Sequence, residues 1–138
     1  MLSSPPAAAA RPDAALLALR PVIITAETDA EDSVGYFLHA TLRPVLKLQN
    51  NLILALMADF VRDHRIALRP TDQHHQLTEL LSRNTRLRAT LVGLATGQFT
   101  AAEYAFYRLH RAELNRRLLE MALHRVLDQA AAVVALAA

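Results

Sequence analysis

From Val34 to Phe60, apolar residues return every three or four positions: Val34, Phe37, Leu38, Leu42, Val45, Leu48, Leu52, Leu56 and Phe60. That period draws a single apolar stripe along a helix, and a stripe so long has to be covered by something. The pattern runs to about His64, roughly 32 residues, or about 48 Å as a continuous helix. One residue disturbs it. Pro44 has no N–H to donate to the carbonyl of Ala40, and its ring crowds that turn, so a kink or break is expected near 40–44. Ser33 can cap the first free N–H groups, and Glu31 and Asp32 place negative charge where a helix start favours it.

Two further segments show the same period. The first carries Leu77, Leu80, Leu81, Leu87, Leu91 and Leu94, with Asn84 in its seam. Pro70, Thr71 and Asp72 supply the stop and restart before it, and Gly97 stands where a left-handed residue usually closes a helix. In "FTAAEY" (99–104), Thr100 and Glu103 match a capping box, with Phe99 and Tyr104 at the hydrophobic-staple positions. The third segment follows, with Tyr107, Leu114, Leu118, Met121, Ala122 and Val126 on its apolar side and Arg111 near the centre of that side. Ahead of all three, "DAALLALR" (13–20) has the length of two helical turns, while residues 1–12 read as disordered and 21–32 as an extended, acidic lead-in.

The expected fold is therefore all-α: an antiparallel bundle of three long helices, at about 33–64, 72–96 and 100–130, completed by the N-terminal segment or by dimerisation. Residues 1–30 read as a flexible or extended segment and 31–138 as the helical domain. Abundant Leu and Ala agree with this, as does the scarcity of β-branched residues outside Val22–Thr25.

Composition narrows the function classes. The chain of 138 residues has no cysteine, which excludes disulfides and thiolate metal sites and fits a reducing compartment. Fourteen of the fifteen basic residues are Arg; the first 61 residues carry a net −2 and the remainder +4. No stretch reaches the roughly 20 apolar residues that span a bilayer. The opening lacks the charged start and compact apolar run of a secretory signal, so a cytoplasmic location is expected, although its Ser, Ala and Arg content leaves organelle targeting by residues 1–25 open.

Residues 39–48 resemble the phospho-accepting helix of sensor histidine kinases and histidine phosphotransferases. The resemblance is carried by His39, Pro44 five positions later, Val45 after it, and Leu48. "NNL" (50–52) is similar to the continuation in some phosphotransferases, and "LLSRNTRLRATLVGLATG" (80–97) to the second helix of the family's dimerising hairpin. It implies a phosphorylatable His39 and a four-helix bundle made from two copies, and it covers about residues 33–97. Ala40 stands where that family usually has an acidic residue, and Arg43 where it often has Thr or Asn. With no Gly-rich nucleotide box, kinase activity is not implied; at most the chain would accept and relay a phosphoryl group.

Other constellations compete with this. With the first helix up, the second down and the third up, equal rise per residue brings His64, His74 or His75, and His124 to one end, with Glu120 a turn from His124; imidazoles and a carboxylate can hold a divalent metal. Arg62, Arg65, Arg69, Arg83 and Arg86 form the densest basic region, suited to nucleic-acid phosphates but interspersed with acids. No nucleophilic triad, HExxH or phosphate loop is present, so enzymatic activity is not the favoured reading and no cofactor is expected. The expectation is a non-enzymatic interaction protein (an adaptor, chaperone-like or assembly subunit), homodimeric, binding a protein partner rather than a membrane. Its contacts would run through Leu38, Leu52, Leu56, Leu87, Leu91 and Leu118. The alternatives are a phosphotransfer module using His39 and a nucleic-acid-binding bundle.

Overall fold

A computed structural model describes residues 10–23 and 30–138. The expectations for residues 1–9 and for 24–29 within the acidic lead-in fall outside the described residues. All regular structure among the described residues is helical. The three spans expected as long continuous helices are each divided into shorter ones. The first comprises α2 (Val34–Phe37), a π-helical turn (Leu38–Leu42), α3 (Arg43–Leu48) and α4 (Asn50–Asp63). The second splits into α5 (Gln73–Arg83) and α6 (Thr85–Thr96), the third into α7 (Ala101–Leu109) and α8 (Arg111–Asp128), with α9 (Ala130–Ala137) beyond. Ahead of them, α1 (Asp13–Leu19) matches the two turns expected there.

The breaks have local causes. Before Pro44, the Arg43 N–H reaches back five residues to the Leu38 carbonyl, so the kink expected near 40–44 takes the form of a widened turn. At Asn84 the backbone leaves the helical region (φ −88°, ψ 105°) and the side chain accepts from the Leu87 N–H, so this residue is the N-cap of α6 instead of a seam residue inside a continuous helix. Ser33 caps α2 through the Tyr36 N–H, and Thr100 and Glu103 form both halves of the capping box. Gly97 is not left-handed: its φ is −61°, and what the position requires is room, since a Cβ there would meet the Gly93 carbonyl at 3.0 Å. The left-handed terminus is at Arg65 (φ 53°), where the N–H groups of Arg65 and Ile66 return to the carbonyls of Arg62 and Val61. That is the Schellman closure, made here without glycine.

The core is continuous across these elements. Leu42, Val45, Ile53, Met57, Leu77, Leu87, Leu91, Leu114, Leu118 and Val126 are fully enclosed, and Phe37, Phe99 and Phe106 form an aromatic group near the α2 end. Phe99 turns edge-on to Phe37 and Tyr107 while Tyr104 stays partly exposed, so the aromatic contact of Phe99 is with the core. The most extensive helix pairing is α4 with α9. Asn50 meets Gln129 at one end and Arg62 reaches the Leu136 carbonyl at the other, so these two helices run parallel. Arg111 is exposed at the start of α8, lying over the Tyr107 ring instead of inside an apolar face.

The left-handed Arg65 carries a steric cost that glycine does not. Arg65→Gly is expected to raise stability by about 1 kcal/mol, read as a higher denaturation midpoint at unchanged slope; an unchanged or lower midpoint would mean the Arg65 side chain contributes more than its backbone costs.

Candidate functional site

The turn joining α6 to α7 exposes backbone groups that neither helix satisfies, and the N-terminal segment supplies the partners. Arg11 donates to the carbonyls of Gly97 and Phe99, and Asp13 accepts from the Ala101 N–H at 3.1 Å. Arg20 completes the attachment, donating to the Gln98 carbonyl and forming a two-pronged pair with Glu103 at 2.6 Å on each side. Only 6% of the Arg20 side chain and 16% of the Glu103 side chain is exposed.

Glu103 is the centre of this arrangement. Its Oε1 accepts from the Thr100 N–H and from Arg20, and its Oε2 from Arg20 and from the Thr41 hydroxyl at 3.0 Å. Four donors use the lone pairs a carboxylate offers. Burial by itself pushes the Glu103 carboxyl up. The Arg20 hydrogen bonds, the Thr100 N–H, the Arg20 charge and the Thr41 hydroxyl together outweigh it, and the carboxyl is held below its ordinary value. One side chain thus closes a capping box, neutralises a buried arginine and ties α7 to the π-turn.

Beside this network lies a cleft of about 700 Å³, lined by the α1 end, the π-turn and α7. Its apolar wall includes Leu17, Val22, Ile23, Tyr36, Pro44 and Phe106, and its polar groups are Arg20, Glu31, His39, Thr41 and Glu103. The π-turn delivers His39, Ala40 and Thr41 together to one cavity. His39 is half-buried there, with its Nδ1 enclosed. Wide turns of this kind recur where a helix must present side chains that a regular period would separate.

The other expected site residues are distributed differently. Leu38, Leu87, Leu91 and Leu118 are spent on the chain's own core, Leu56 is partly buried against it, and Leu52 remains 49% exposed. Among the described residues no group of three or more His, Asp or Glu is placed to hold a metal ion. The reason is clearest at His64. The Asn84 side-chain oxygen is committed to the Leu87 N–H, so its amide nitrogen donates to His64 Nε2, and His64 Nδ1 donates to the Phe60 carbonyl at 2.9 Å. Both ring nitrogens are occupied by hydrogen bonds within the chain. His75 shares a cleft with His64, but His74, His75 and His124 are exposed side chains. Of the basic residues, Arg62 pairs with Asp59, Arg69 with Asp72 and Arg83 with Glu79, while Arg86 lies 5.0 Å over the Phe60 ring. Arg65 is the turn residue already described.

Sequence reasoning missed Arg20 and Thr41 and read Glu103 only as a cap. The available signal was the buried fate of a capping box: a Glu at such a position faces inward when its helix start is covered, and then needs a cation.

No helix among the described residues is long and apolar enough to cross a membrane. Compared with protein-family models, curated proteins and solved structures, the chain matches none of them.

Because folding lowers the Glu103 value, its contribution to stability is complete above the unfolded value near 4.5 and is lost as pH falls through the folded one. In wild type, denaturation midpoints should hold steady from neutrality to about pH 5 and fall below pH 4.5. Glu103→Gln is expected to cost about 3 kcal/mol at neutral pH, because it strands a buried arginine, and to flatten the acid decline. An acid decline of equal size in the variant would show that another carboxylate controls it.

Proposed function

We propose that the chain is a non-enzymatic helical interaction protein and that its contact surface is the cleft between the α1 end, the π-turn and α7. One observation carries this reading: large apolar side chains left exposed gather at the rim of a cavity with a fixed polar floor. Val22 is 90% exposed, and Leu17 and Tyr36 are partly so. The cavity has the size of a typical ligand pocket, and a mostly apolar lining with a few anchored polar groups is how such pockets select an occupant. The complementary occupant is an amphipathic segment of a partner protein, burying its apolar side on Leu17, Val22 and Tyr36. The bundle itself, whether three-stranded or completed by a second copy, serves as the scaffold. The exposed Leu52, Leu109 and Leu136 lie outside the lining of this cleft.

A second reading is favoured by the position of His39, which the π-turn places in the same cleft with Pro44 following. In that reading the imidazole accepts a phosphoryl group on a ring nitrogen.

The first reading predicts that a protein retained by the wild-type chain is lost with Val22→Glu and kept with Leu109→Glu, whose position is exposed elsewhere, both variants showing unchanged helical circular dichroism. Equal retention by both would remove the cleft from the reading. The second predicts an acid-labile, base-stable phosphate after incubation with a small phosphodonor, absent in His39→Gln. A chain that takes up no such phosphate cannot be a relay.

A further inference from the structure

A separate cleft, of about 420 Å³, lies where the α3–α4 junction meets the α8–α9 junction. It is lined by Lys47, Leu48, Asn50, Asn51, Arg125 and Gln129, none of which lines the first cleft. We propose that this is a binding site for a small dianionic oxyanion, a phosphate or phosphomonoester.

The argument starts from charge. Folding brings Arg125, half-buried on α8, within electrostatic range of Arg43 on α3, and Lys47 follows Arg43 one turn later. Like charges gathered at a partly desolvated position repel, and a folded chain normally answers this with a carboxylate. Here it does not. Among the described residues none of these three cations has an acidic partner within ion-pair distance, whereas Arg62, Arg69, Arg83 and Arg116 each have one. Asp128 lies on the same helix as Arg125, is exposed, and forms no ion pair with it. Burial, and then the Arg43 charge, lower the Arg125 value, as expected for a cation without a counter-charge.

The second part of the argument is the fixed polar wall. Asn50 and Gln129 exchange reciprocal amide hydrogen bonds at 2.9 and 2.8 Å, Gln129 also donates to the Arg125 carbonyl, and Arg125 donates to Asn50 Oδ1 at 3.3 Å. The long Arg125–Asn50 contact uses one of five guanidinium N–H groups. Donors remain for a forked contact with an oxyanion, the geometry in which arginine binds phosphate most strongly. The exposed Lys47 adds an ammonium to the lining and Asn51 an amide. A cleft of this size takes a phosphate with a few attached atoms. Lys47 and Arg125 line the cavity from different elements, and Arg43 lies outside its lining but within electrostatic range of Arg125, a localised positive field that suits a compact anion rather than a nucleic-acid backbone.

The test is calorimetric titration of the whole chain with inorganic phosphate at constant ionic strength, chloride making up the difference. Side-chain amide resonances of Asn50, Asn51 and Gln129 would be followed in parallel. A saturable single-site heat with shifts confined to those amides is expected. Lys47→Ala and Arg43→Gln, neither in the apolar core, should each weaken binding about tenfold, and Arg125→Lys should weaken it while keeping the charge. Heat that does not saturate, or an affinity unchanged in Lys47→Ala and Arg43→Gln, would overturn the site. Retention on phosphatidic-acid vesicles, or salt-sensitive oligonucleotide binding, without any response to free phosphate would overturn the small-solute ligand.

Discussion

A single carboxylate organises one end of this molecule. Glu103 receives the first turn of α7, the guanidinium of Arg20 and the hydroxyl of Thr41, and so joins three separate stretches of chain at one side chain. An ion pair this enclosed needs its remaining lone pairs and protons satisfied; the carboxylate side meets that condition, while the Arg20 Nε–H is buried without an acceptor among the described residues. What the pair supplies most clearly is position: it fixes the N-terminal segment against the α6–α7 turn and so creates one wall of the larger cleft. Arg11 and Asp13 act on the same turn, one on its carbonyls and the other on an N–H. The segment functions as a shared cap for two helices.

The π-turn answers to the same geometry from the other side. Pro44 removes a backbone donor, and a regular helix would leave its ring against the preceding turn. Widening that turn relieves the crowding and carries His39 and Thr41 to the cavity, where Thr41 becomes the fourth donor to Glu103. A proline that looks like a defect in the periodic pattern is thereby linked to the one hydroxyl among the described residues that donates to the carboxylate.

These particulars show what was legible in the sequence and why. The caps at Ser33 and Thr100 depend on neighbours three residues away, and both were readable. Periodicity found the helical spans and most of the core. The break before Pro44 was readable from the proline, but those at Asn84 and Gln129 were not, since distant residues engage them: Asn84 is engaged by His64 from the end of α4, and Gln129 by Asn50. Gly97 misled because composition shows that a glycine is there but not whether it supplies a left-handed angle or merely room. The candidate interface leucines were chosen by the same period that marks a core, and that period cannot tell an inner face from an outer one. Leu118 and Leu52 both satisfy it, yet one is enclosed and the other half exposed.

The parallel pairing of α4 with α9 also bears on how the chain reaches this structure. Asn50 and Gln129 are 79 positions apart, and Arg62 and Leu136 are 74. Loop-closure entropy makes such contacts late unless the intervening elements form first and shorten the effective loop. The α5–α6 and α7–α8 units have local contacts of their own and can do so. By that argument the α4–α9 contact forms late, and until it does the side of α4 that α9 covers is open to association with other chains.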